Sequence, residues 1–450
     1  MVKIKPISRD KREFVAGTSS ELAPVRRSNQ PELHPFEKSR EYVRALNAVK
    51  LDKHFAKPFV GAMSGHTDGV HCLAKSPASL TTLVSGGCDG EIIRWDLTSR
   101  EVGWRCEAHN GFVRGLAFSR AGHHFVSCSD DKTVKLWSAS ASASATDAAD
   151  AATPLATFLG RHAFTDIDHH KKEHNFATGG PTLLFWDTAR SEPVQSFEWG
   201  ADSITRVRFN PAQHNLLGCL SNDRGVTLYD LRTGSATQKA VMQTRGNALC
   251  WNPMEPFHFT LASEDHSLYT FDMRKLNHAI CVHSGHVSAV LAVDYAPTGK
   301  QFVSGSYDRT VRIWSAGQQV SDATYHTKRM QRLFCVGWSM DNTYLFSGSD
   351  DTNLRLWRAK ANERATQPLP REKAKREYEE ALVDKFKYMP EIKRIKKHNH
   401  VPRAIMKAAK VKETVAATQR RHETNRRKHS APGKVPKVKA KHKKVWQVLE

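Results

Sequence analysis

The chain has 450 residues, a formal net charge of +22 and a pI near 9.7. This length allows one large domain or a few smaller ones, and the excess of cations favours nucleic acid, an anionic membrane or an acidic protein as a partner. No apolar run of 18 or more residues occurs, so no transmembrane helix is expected. Of these partner classes, we expect no membrane. The N-terminal residues MVKIKPISRDKREF lack the apolar segment of a secretory signal.

The positive charge is confined to the two ends of the chain. Residues 1–60 hold 13 basic and 7 acidic side chains, and residues 361–450 hold 26 and 10, whereas the 300 residues between them hold 29 of each. Like charges repel one another unless a partner neutralises them. A neutral body with two basic arms therefore predicts a scaffold whose arms bind a polyanion.

The chain starts with a Pro-containing arm in which residues 36–50 could form a short helix. An internal repeat follows, in which an aromatic residue, usually followed by Asp, recurs at Trp95, Trp137, Trp186, Tyr229, Phe271, Trp314 and Trp357. The spacings are 42, 49, 43, 42, 43 and 43 residues, and the long interval contains a Ser/Ala-rich insertion at 138–153. We expect this insertion to be a flexible loop, because it lacks core-forming residues.

A period of 40–45 residues with four short alternating segments per unit is typical of WD40 repeats. The repeat region resembles a WD-repeat protein, which implies an all-β fold, a seven-bladed WD40 β-propeller over 59–358. An extended N-terminal arm over 1–58 and a basic α-helical C-terminal region over 359–450 flank it. We expect residues 59–63 to supply the outer strand of the last blade, because radial closure protects sheet edges.

A constellation of His, Ser, Asp and Trp imitates a catalytic triad but recurs along the chain. A triad is needed once per active site, so the repetition favours a buried hydrogen-bond chain inside each blade and argues against an enzyme. P-loop and nucleophile-elbow motifs are also absent. The three clear sets are His66, Ser85, Asp89 and Trp95; His109, Ser127, Asp131 and Trp137; and His286, Ser304, Asp308 and Trp314, with a weaker fourth set of His326, Ser347, Asp351 and Trp357.

The sequence predicts no cofactor and no metal site. The eight cysteines stand singly, without a Cys-x-x-Cys pair, which favours free thiols in a reducing compartment. His169, His170 and His174 form a cluster with too few ligands for a closed metal site. We interpret these histidines as solvated loop residues.

The C-terminal region predicts two helices, at 371–389 and 403–428. The first carries an apolar stripe of Tyr378, Leu382 and Phe386, expected to pack on the propeller flank or on a partner. Beyond Pro390 the chain becomes strongly basic, with 19 basic and 4 acidic side chains over 391–450. Such a segment can serve in nuclear localisation and in RNA phosphate contact, and Trp446 could stack or anchor. The candidate phosphate-binding residues are Lys393, Arg394, Lys396, Lys397, Arg403, Arg420, Arg421, Arg426, Arg427, Lys428, Lys434, Lys437, Lys439, Lys441, Lys443 and Lys444.

The flanks of the repeats carry a more specific resemblance. LHPFEKSREYVRALNAVKLDKHFAKPF at 33–59 and PEIKRIKKHNHVPRAI at 390–405 are similar to the flanking motifs of Sof-type WD-repeat proteins of the small-subunit processome. The resemblance implies a nucleolar, non-catalytic scaffold associated with the U3 snoRNP and needed for pre-rRNA processing to the mature small-subunit rRNA. Its implied partners are pre-rRNA and U3 snoRNA, contacted through the arms, and other processome proteins.

Two alternatives remain open. The family in animals is also described as a substrate receptor of a cullin-RING ubiquitin ligase, whose receptors carry a Trp-Asp-x-Arg box. Two segments match that box except at the aromatic residue, one with Asp230 and Arg232 and the other with Asp272 and Arg274. The other interpretation is that these residues only cap a strand and its turn. A chromatin reader with basic tails is the third hypothesis, which crosslinking to DNA rather than RNA would support.

The propeller face is a further candidate docking surface. Alignment of the repeats places a set of aromatic and polar side chains near the start of the inner strands, where they could contact a partner or only close the channel. They are Phe112, Arg114, Arg245, Asn247 and Arg332.

Overall fold

The computed structural model describes residues 33, 35–139, 153–198, 202–362, 369–431 and 433–449. The expected flexible insertion at 138–153 therefore lies almost wholly outside the described residues. The chain forms two compact units, one of Met1–Pro58 with Lys360–His398 and the other of Phe59–Ala359 with Asn399–Glu450. Among the described residues, none of the helices has the length and apolarity needed to cross a membrane.

The larger unit contains the seven-bladed β-propeller, which confirms the fold expected from the repeat. Each blade is an antiparallel sheet whose strands follow one another in the chain. The first four blades are β2 Val70–Lys75, β3 Thr82–Gly87, β4 Glu91–Asp96 and β5 Glu101–Glu107; β6 Val113–Phe118, β7 His124–Ser129, β8 Thr133–Ser138 and β9 Ala156–Leu159; β10 Asp166–His169, β11 Asn175–Gly179, β12 Leu183–Asp187 and β13 Gln195–Phe197; and β14 Ile204–Phe209, β15 Leu216–Ser221, β16 Gly225–Asp230 and β17 Ser235–Met242.

The last three blades include the first strand of the propeller. They are β18 Gly246–Trp251, β19 His258–Ser263, β20 Ser267–Asp272 and β21 Cys281–Ser284; β22 Val290–Tyr295, β23 Gln301–Ser306, β24 Val311–Ser315 and β25 Ala323–Tyr325; and β26 Leu333–Trp338, β27 Tyr344–Ser349 and β28 Asn353–Arg358 with β1 Phe59–Ser64. β1 pairs with β28 in the register Met63 to Leu354. The expected closure of the last blade by residues 59–63 is therefore confirmed.

The repeated aromatic residue forms the core of each blade. Trp137, Trp186 and Trp314 are buried and stack on a phenylalanine of the preceding strand, with ring centroids 6.1–6.3 Å apart. The apolar clusters also cross from one blade to the next, because each sheet presents both faces to a neighbour. The period near 43 residues is therefore the sequence distance between the buried aromatic ring of one blade and that of the next.

The smaller unit is built from three helices, α1 Glu37–Phe55, α2 Pro370–Lys385 and α3 Pro390–Lys397. The expectation that the α2 stripe packs on the propeller flank or a partner is wrong, because Leu382 and Val383 pack against α1 and α3. Phe386 meets Tyr42 of α1 edge to face at 5.8 Å. The stripe was correctly located, but its periodicity carried no information about which apolar face covers it.

The larger unit also includes two C-terminal elements, α4 Arg403–Lys428 and β29 Val445–Leu449. The bounds of α4 match the predicted helix at 403–428. β29 adds to the outer edge of β17, so blade four is a five-stranded sheet. This strand was not predicted. A five-residue segment of mixed apolar and polar residues after a basic run does not indicate a pairing partner about 200 residues away.

Candidate nucleic-acid interface and buried polar tetrads

Blades two and six each contain a complete polar tetrad. In blade two, His109 contacts Asp131 through Nδ1 at 2.9 Å and Ser127 through Nε2 at 2.8 Å. The indole N–H of Trp137 donates to the same serine oxygen over 2.9 Å. Blade six repeats the arrangement at 3.0, 2.7 and 2.8 Å with His286, Asp308, Ser304 and Trp314.

Burial sets the protonation of these groups. It lowers the pKa of His286, and Asp308 opposes that shift only in part. Burial alone would raise the pKa of Asp308, but the charge of His286 and hydrogen bonds from His286 and Thr310 bring it well below its ordinary value. The tetrad therefore holds an ionised carboxylate that several donors satisfy.

The tetrads in blades one and seven differ from this pattern. His66 contacts Ser85 at 2.6 Å, but Asp89 accepts a hydrogen bond from Thr67 instead of from the histidine. In blade seven, His326 stacks on His400 with ring centroids 5.3 Å apart, and Trp357 alone donates to Ser347. The weaker fourth set expected from the sequence is therefore incomplete.

The tetrad serines lie inside the blades. Ser85, Ser127 and Ser304 are each 0% exposed, so their hydroxyls do not face solvent. Each serine oxygen instead accepts the hydrogen bond of a buried tryptophan. This agrees with the interpretation of the repeated constellation as internal hydrogen bonding.

Two of the three blade-three histidines are buried, which corrects the expectation of solvated loop residues for His169 and His170, whereas His174 is exposed. His169 and His170 are 2% and 3% exposed. His169 Nδ1 lies 2.8 Å from the carbonyl oxygen of His170, and the Glu173 amide donates to His170 Nδ1 over 2.9 Å. These nitrogens therefore hold the turn between β10 and β11 together.

Helix α4 presents two different surfaces. Its inner side is half-buried and consists of residues at heptad-like spacing, namely Ile405, Lys412, Ala416, Glu423 and Arg427. Lys412 anchors this side, because its Nζ donates to His266 Nδ1 over 2.7 Å and to the carbonyl oxygen of His286 over 2.8 Å. Burial lowers the pKa of Lys412. The sequence did not single out this contact.

The opposite side of α4 is basic in the first two turns of the helix and in its last two turns. Helical geometry places Arg403, Lys407, Lys410, Arg421 and Lys428 along one line, and all five are exposed. We call these five residues the outer stripe. Among the described residues, the ion pairs of α4 are those of Glu423 with Arg427 and Lys443, on its inner side. The outer stripe is therefore exposed, and within the described part of the chain it has no salt bridge, over about 39 Å of helix.

The other predicted phosphate-binding residues divide into three groups. Arg420 and Arg426 lie on the two flanks of the inner side of α4 and are exposed, as are Lys434, Lys437, Lys439 and Lys441. Arg427 and Lys443 pair with Glu423, and Lys444 Nζ lies 2.9 Å from Asp265. The first two cations therefore pair within the C-terminal segment, and Lys444 connects that segment to the propeller. Lys393, Arg394, Lys396 and Lys397 belong to α3 in the smaller unit.

The two Asp-x-Arg boxes differ in geometry. The Arg232 guanidinium donates two hydrogen bonds to Asp230, of 3.2 and 2.9 Å, and the Arg232 side chain is 71% exposed. That contact lowers the pKa of Asp230. In the second box the Arg274 amide donates to Asp272 over 3.0 Å, while the guanidinium lies 3.5 Å from the centre of the Phe257 ring.

The predicted docking residues lie at the starts of the inner strands β6, β18 and β26. Arg114 forms a bidentate contact with Asp130, and Phe112 is 44% exposed beside it. Arg332 covers the exposed ring of Tyr307 at 4.4 Å. Asn247 donates to the Val290 carbonyl of the next blade, and the Arg245 carbonyl accepts from Glu264.

The inner strands line a central channel of about 610 Å³. Its carboxylates join neighbouring blades, since Asp166 accepts from the Val207 amide at 3.0 Å and Asp294 from the Trp338 amide at 2.8 Å. Asp166 also contacts Arg208 at 2.8 Å. Sequence reasoning missed these residues, because they follow no motif shared by all the repeats.

Comparisons with known proteins cover the whole chain. A Sof1-like domain matches residues 359–445, and WD domain, G-beta repeats match 57–96, 101–138, 279–315 and 319–358. DDB1- and CUL4-associated factor 13 of Xenopus laevis is 47% identical over 449 residues, covering 100% of both chains, and the Homo sapiens protein of the same name is also 47% identical over its full length. Protein SOF1 of Saccharomyces cerevisiae is 46% identical over 446 residues, covering 95% of this chain and 91% of the relative.

Proposed function

Because the chain belongs to the family of WD-repeat proteins with a Sof1-like domain, we propose that it is a non-catalytic scaffold of the small-subunit processome. It functions in ribosome biogenesis, in the processing of pre-rRNA to the mature small-subunit rRNA. The relationship to Protein SOF1 through both the propeller and the C-terminal domain carries this assignment. We place its action in the nucleolus, with the U3 snoRNP.

The charge distribution supports direct contact with pre-rRNA and U3 snoRNA. The propeller body is neutral in sequence, while the outer stripe places five exposed cations on one side of a helix. Lysine and arginine contacts to phosphate set the position of a protein on RNA without reading its sequence. This is the chemistry that a scaffold requires, because it must hold folded RNA of varied sequence beside neighbouring processome proteins.

A variant that neutralises four of the five outer-stripe cations tests this function. Lys407, Lys410, Arg421 and Lys428 are replaced together by Gln, which keeps helix propensity and leaves the inner side of α4 intact. We expect weaker co-sedimentation with pre-ribosomes as salt rises. The slope of log affinity against log salt should fall by about 0.7 for each lost single-strand phosphate contact.

A matched control removes the same charge elsewhere. Arg371, Lys373, Lys375 and Lys387 are exposed on or just after α2, and their replacement by Gln should leave association unchanged. If the outer-stripe variant still co-sediments with pre-ribosomes up to the same salt as the control, the RNA-contact role of α4 is wrong. If the wild-type chain is absent from pre-ribosomal fractions, the scaffold function itself is wrong.

A second candidate function is that of a substrate receptor for a cullin-RING ubiquitin ligase. The names of the animal relatives include DDB1 and CUL4 association, and the exposed Arg232 beside buried Asp230 offers a charged docking point. We expect Arg232→Ala or Arg274→Ala to release a ligase adaptor while pre-ribosome binding is retained. A wild-type pull-down without any adaptor would eliminate this candidate.

A further inference from the structure

Blade one departs from its sister blades at a single position. In blades two and six, a threonine stands two residues after the tetrad aspartate, and its hydroxyl lies 3.0 Å (Thr133) or 3.4 Å (Thr310) from histidine Nδ1. Glu91 occupies this position in blade one. The blade-one tetrad is therefore accompanied by a second carboxylate, whereas the tetrads of blades two and six contain one carboxylate each.

The substitution leaves two buried polar atoms facing each other without a hydrogen bond. His66 Nδ1 and Glu91 Oε2 lie 3.6 Å apart, and neither has a hydrogen-bond partner among the described residues. The side chains are 0% and 9% exposed. Buried polar atoms in native proteins are almost always paired, so this pair indicates a missing ligand.

We propose that His66, Asp89 and Glu91 bind a divalent cation of the zinc class. One ligand atom from each residue lies within 4.8 Å of the other two, with His66 and Glu91 buried and Asp89 exposed. Imidazole nitrogen and carboxylate oxygen are both established zinc ligands. Three protein ligands leave a fourth position that water can occupy.

Neighbouring groups orient the three ligands. His66 Nε2 lies 2.6 Å from Ser85 Oγ, and donation from Nε2 leaves the Nδ1 lone pair free for a cation. Arg105 Nε lies 2.5 Å from Glu91 Oε1, which keeps Oε2 directed at His66. The Glu91 amide donates to Asp89 over 3.0 Å. Each ligand therefore has an outer partner that fixes its position.

The sister tetrads already occupy the corresponding histidine nitrogen. In blades two and six the histidine Nδ1 already contacts an aspartate at 2.9–3.0 Å, so those tetrads offer no equivalent site.

The sister blades supply the variant that tests this site. Glu91→Thr restores the residue type found in blades two and six, so it should fold normally and give a cooperative melt. The metal-free full-length protein is titrated with Zn²⁺ against a chromophoric chelator. We expect the wild-type chain to bind one Zn²⁺ that Glu91→Thr binds at least about 10-fold more weakly, since loss of even an outer partner costs that much.

Glu101→Thr is the matched control, because Glu101 is exposed on the neighbouring strand β5. It should bind Zn²⁺ as the wild type does, which separates the site from adventitious binding by the other histidines. A cobalt spectrum with tetrahedral intensity in the wild type and its loss in Glu91→Thr would support the assigned ligands. Equal stoichiometry and affinity for wild type and Glu91→Thr would overturn the proposal.

Discussion

The propeller and helix α4 use charged residues in opposite ways. In the propeller, buried carboxylates have partners, since Asp166 pairs with Arg208 and Asp308 contacts His286 Nδ1. On α4 the paired charges lie on the inner side, and the outer stripe faces solvent. Charges of the first kind hold the fold, whereas those of the second are available to a polyanion. Changes in the propeller should therefore affect stability, and changes in the outer stripe should affect RNA binding.

The largest stability loss should come from the repeated aromatic residue. Trp314→Ala removes a ring that is 0% exposed and stacked on Phe302. We expect the free energy of unfolding to fall by about 3–5 kcal/mol, as for other buried aromatic truncations. Denaturant unfolding measures this loss, and a loss within the error of the wild-type value would contradict the packing described for blade six.

Acid should destabilise the propeller through buried histidines. Burial lowers the pKa of His283 to about 4, while the Gln318 carbonyl favours its charged form. As pH falls, this histidine is therefore protonated in the unfolded state before it is protonated in the folded state. Its contribution to stability is complete above the unfolded pKa of about 6.5 and is lost as pH falls towards 4. This group contributes about 3 kcal/mol over that window. Unfolding free energies at pH 4 and pH 7 should differ less in His283→Gln, in which Thr270 keeps a polar neighbour.

Removal of a tetrad carboxylate should have a smaller effect. Asp308→Ala leaves His286 Nδ1 and the amides of Val287 and Thr310 without their acceptor. We expect a loss of about 1–3 kcal/mol, the cost of unsatisfied buried polar groups. Glu413→Ala, at an exposed position of α4, is the control and should change stability by less than about 0.5 kcal/mol. Equal effects of the two substitutions would break the contrast between propeller and helix.

The C-terminal strand should contribute least. Val448→Pro interrupts the pairing of β29 with Ala240 of β17 and should cost about 1 kcal/mol. Hydrogen exchange should then accelerate in β17 and β29 only. Trp446→Ala is the control, because its ring is 73% exposed and its backbone pairing is unchanged. Unchanged exchange of β17 in Val448→Pro would show that β29 does not protect that edge.

The propeller could be predicted from sequence because its signal is repeated. Seven buried aromatic residues at nearly equal spacing fix the fold class, and the basic segment at 403–428 fixes α4. Contacts made only once were harder to see. The α2 stripe revealed an apolar face but not α1 as its partner, and nothing near β29 points to β17.

The difference between the tetrads is visible in the sequence, but its consequence is not. Aligned repeats show Thr133 and Thr310 where blade one has Glu91. The consequence depends on distance, since only the structure shows that Glu91 lies beside His66 and that Asp89 contacts Thr67. Among the predicted phosphate contacts, the structure likewise separates exposed Arg421 from Arg427, which is paired.

Mapping protein–RNA crosslinks in cells to single residues tests the central claim most directly. Our account predicts crosslinks to small-subunit pre-rRNA or U3 snoRNA along the outer stripe, at residues such as Lys407, Lys410 and Arg421. Lys412 should give none, because its ammonium group is bound to His266 and to the His286 carbonyl. RNA crosslinks confined to the propeller, or absent from the outer stripe, would contradict the assignment of α4 as the RNA-binding element.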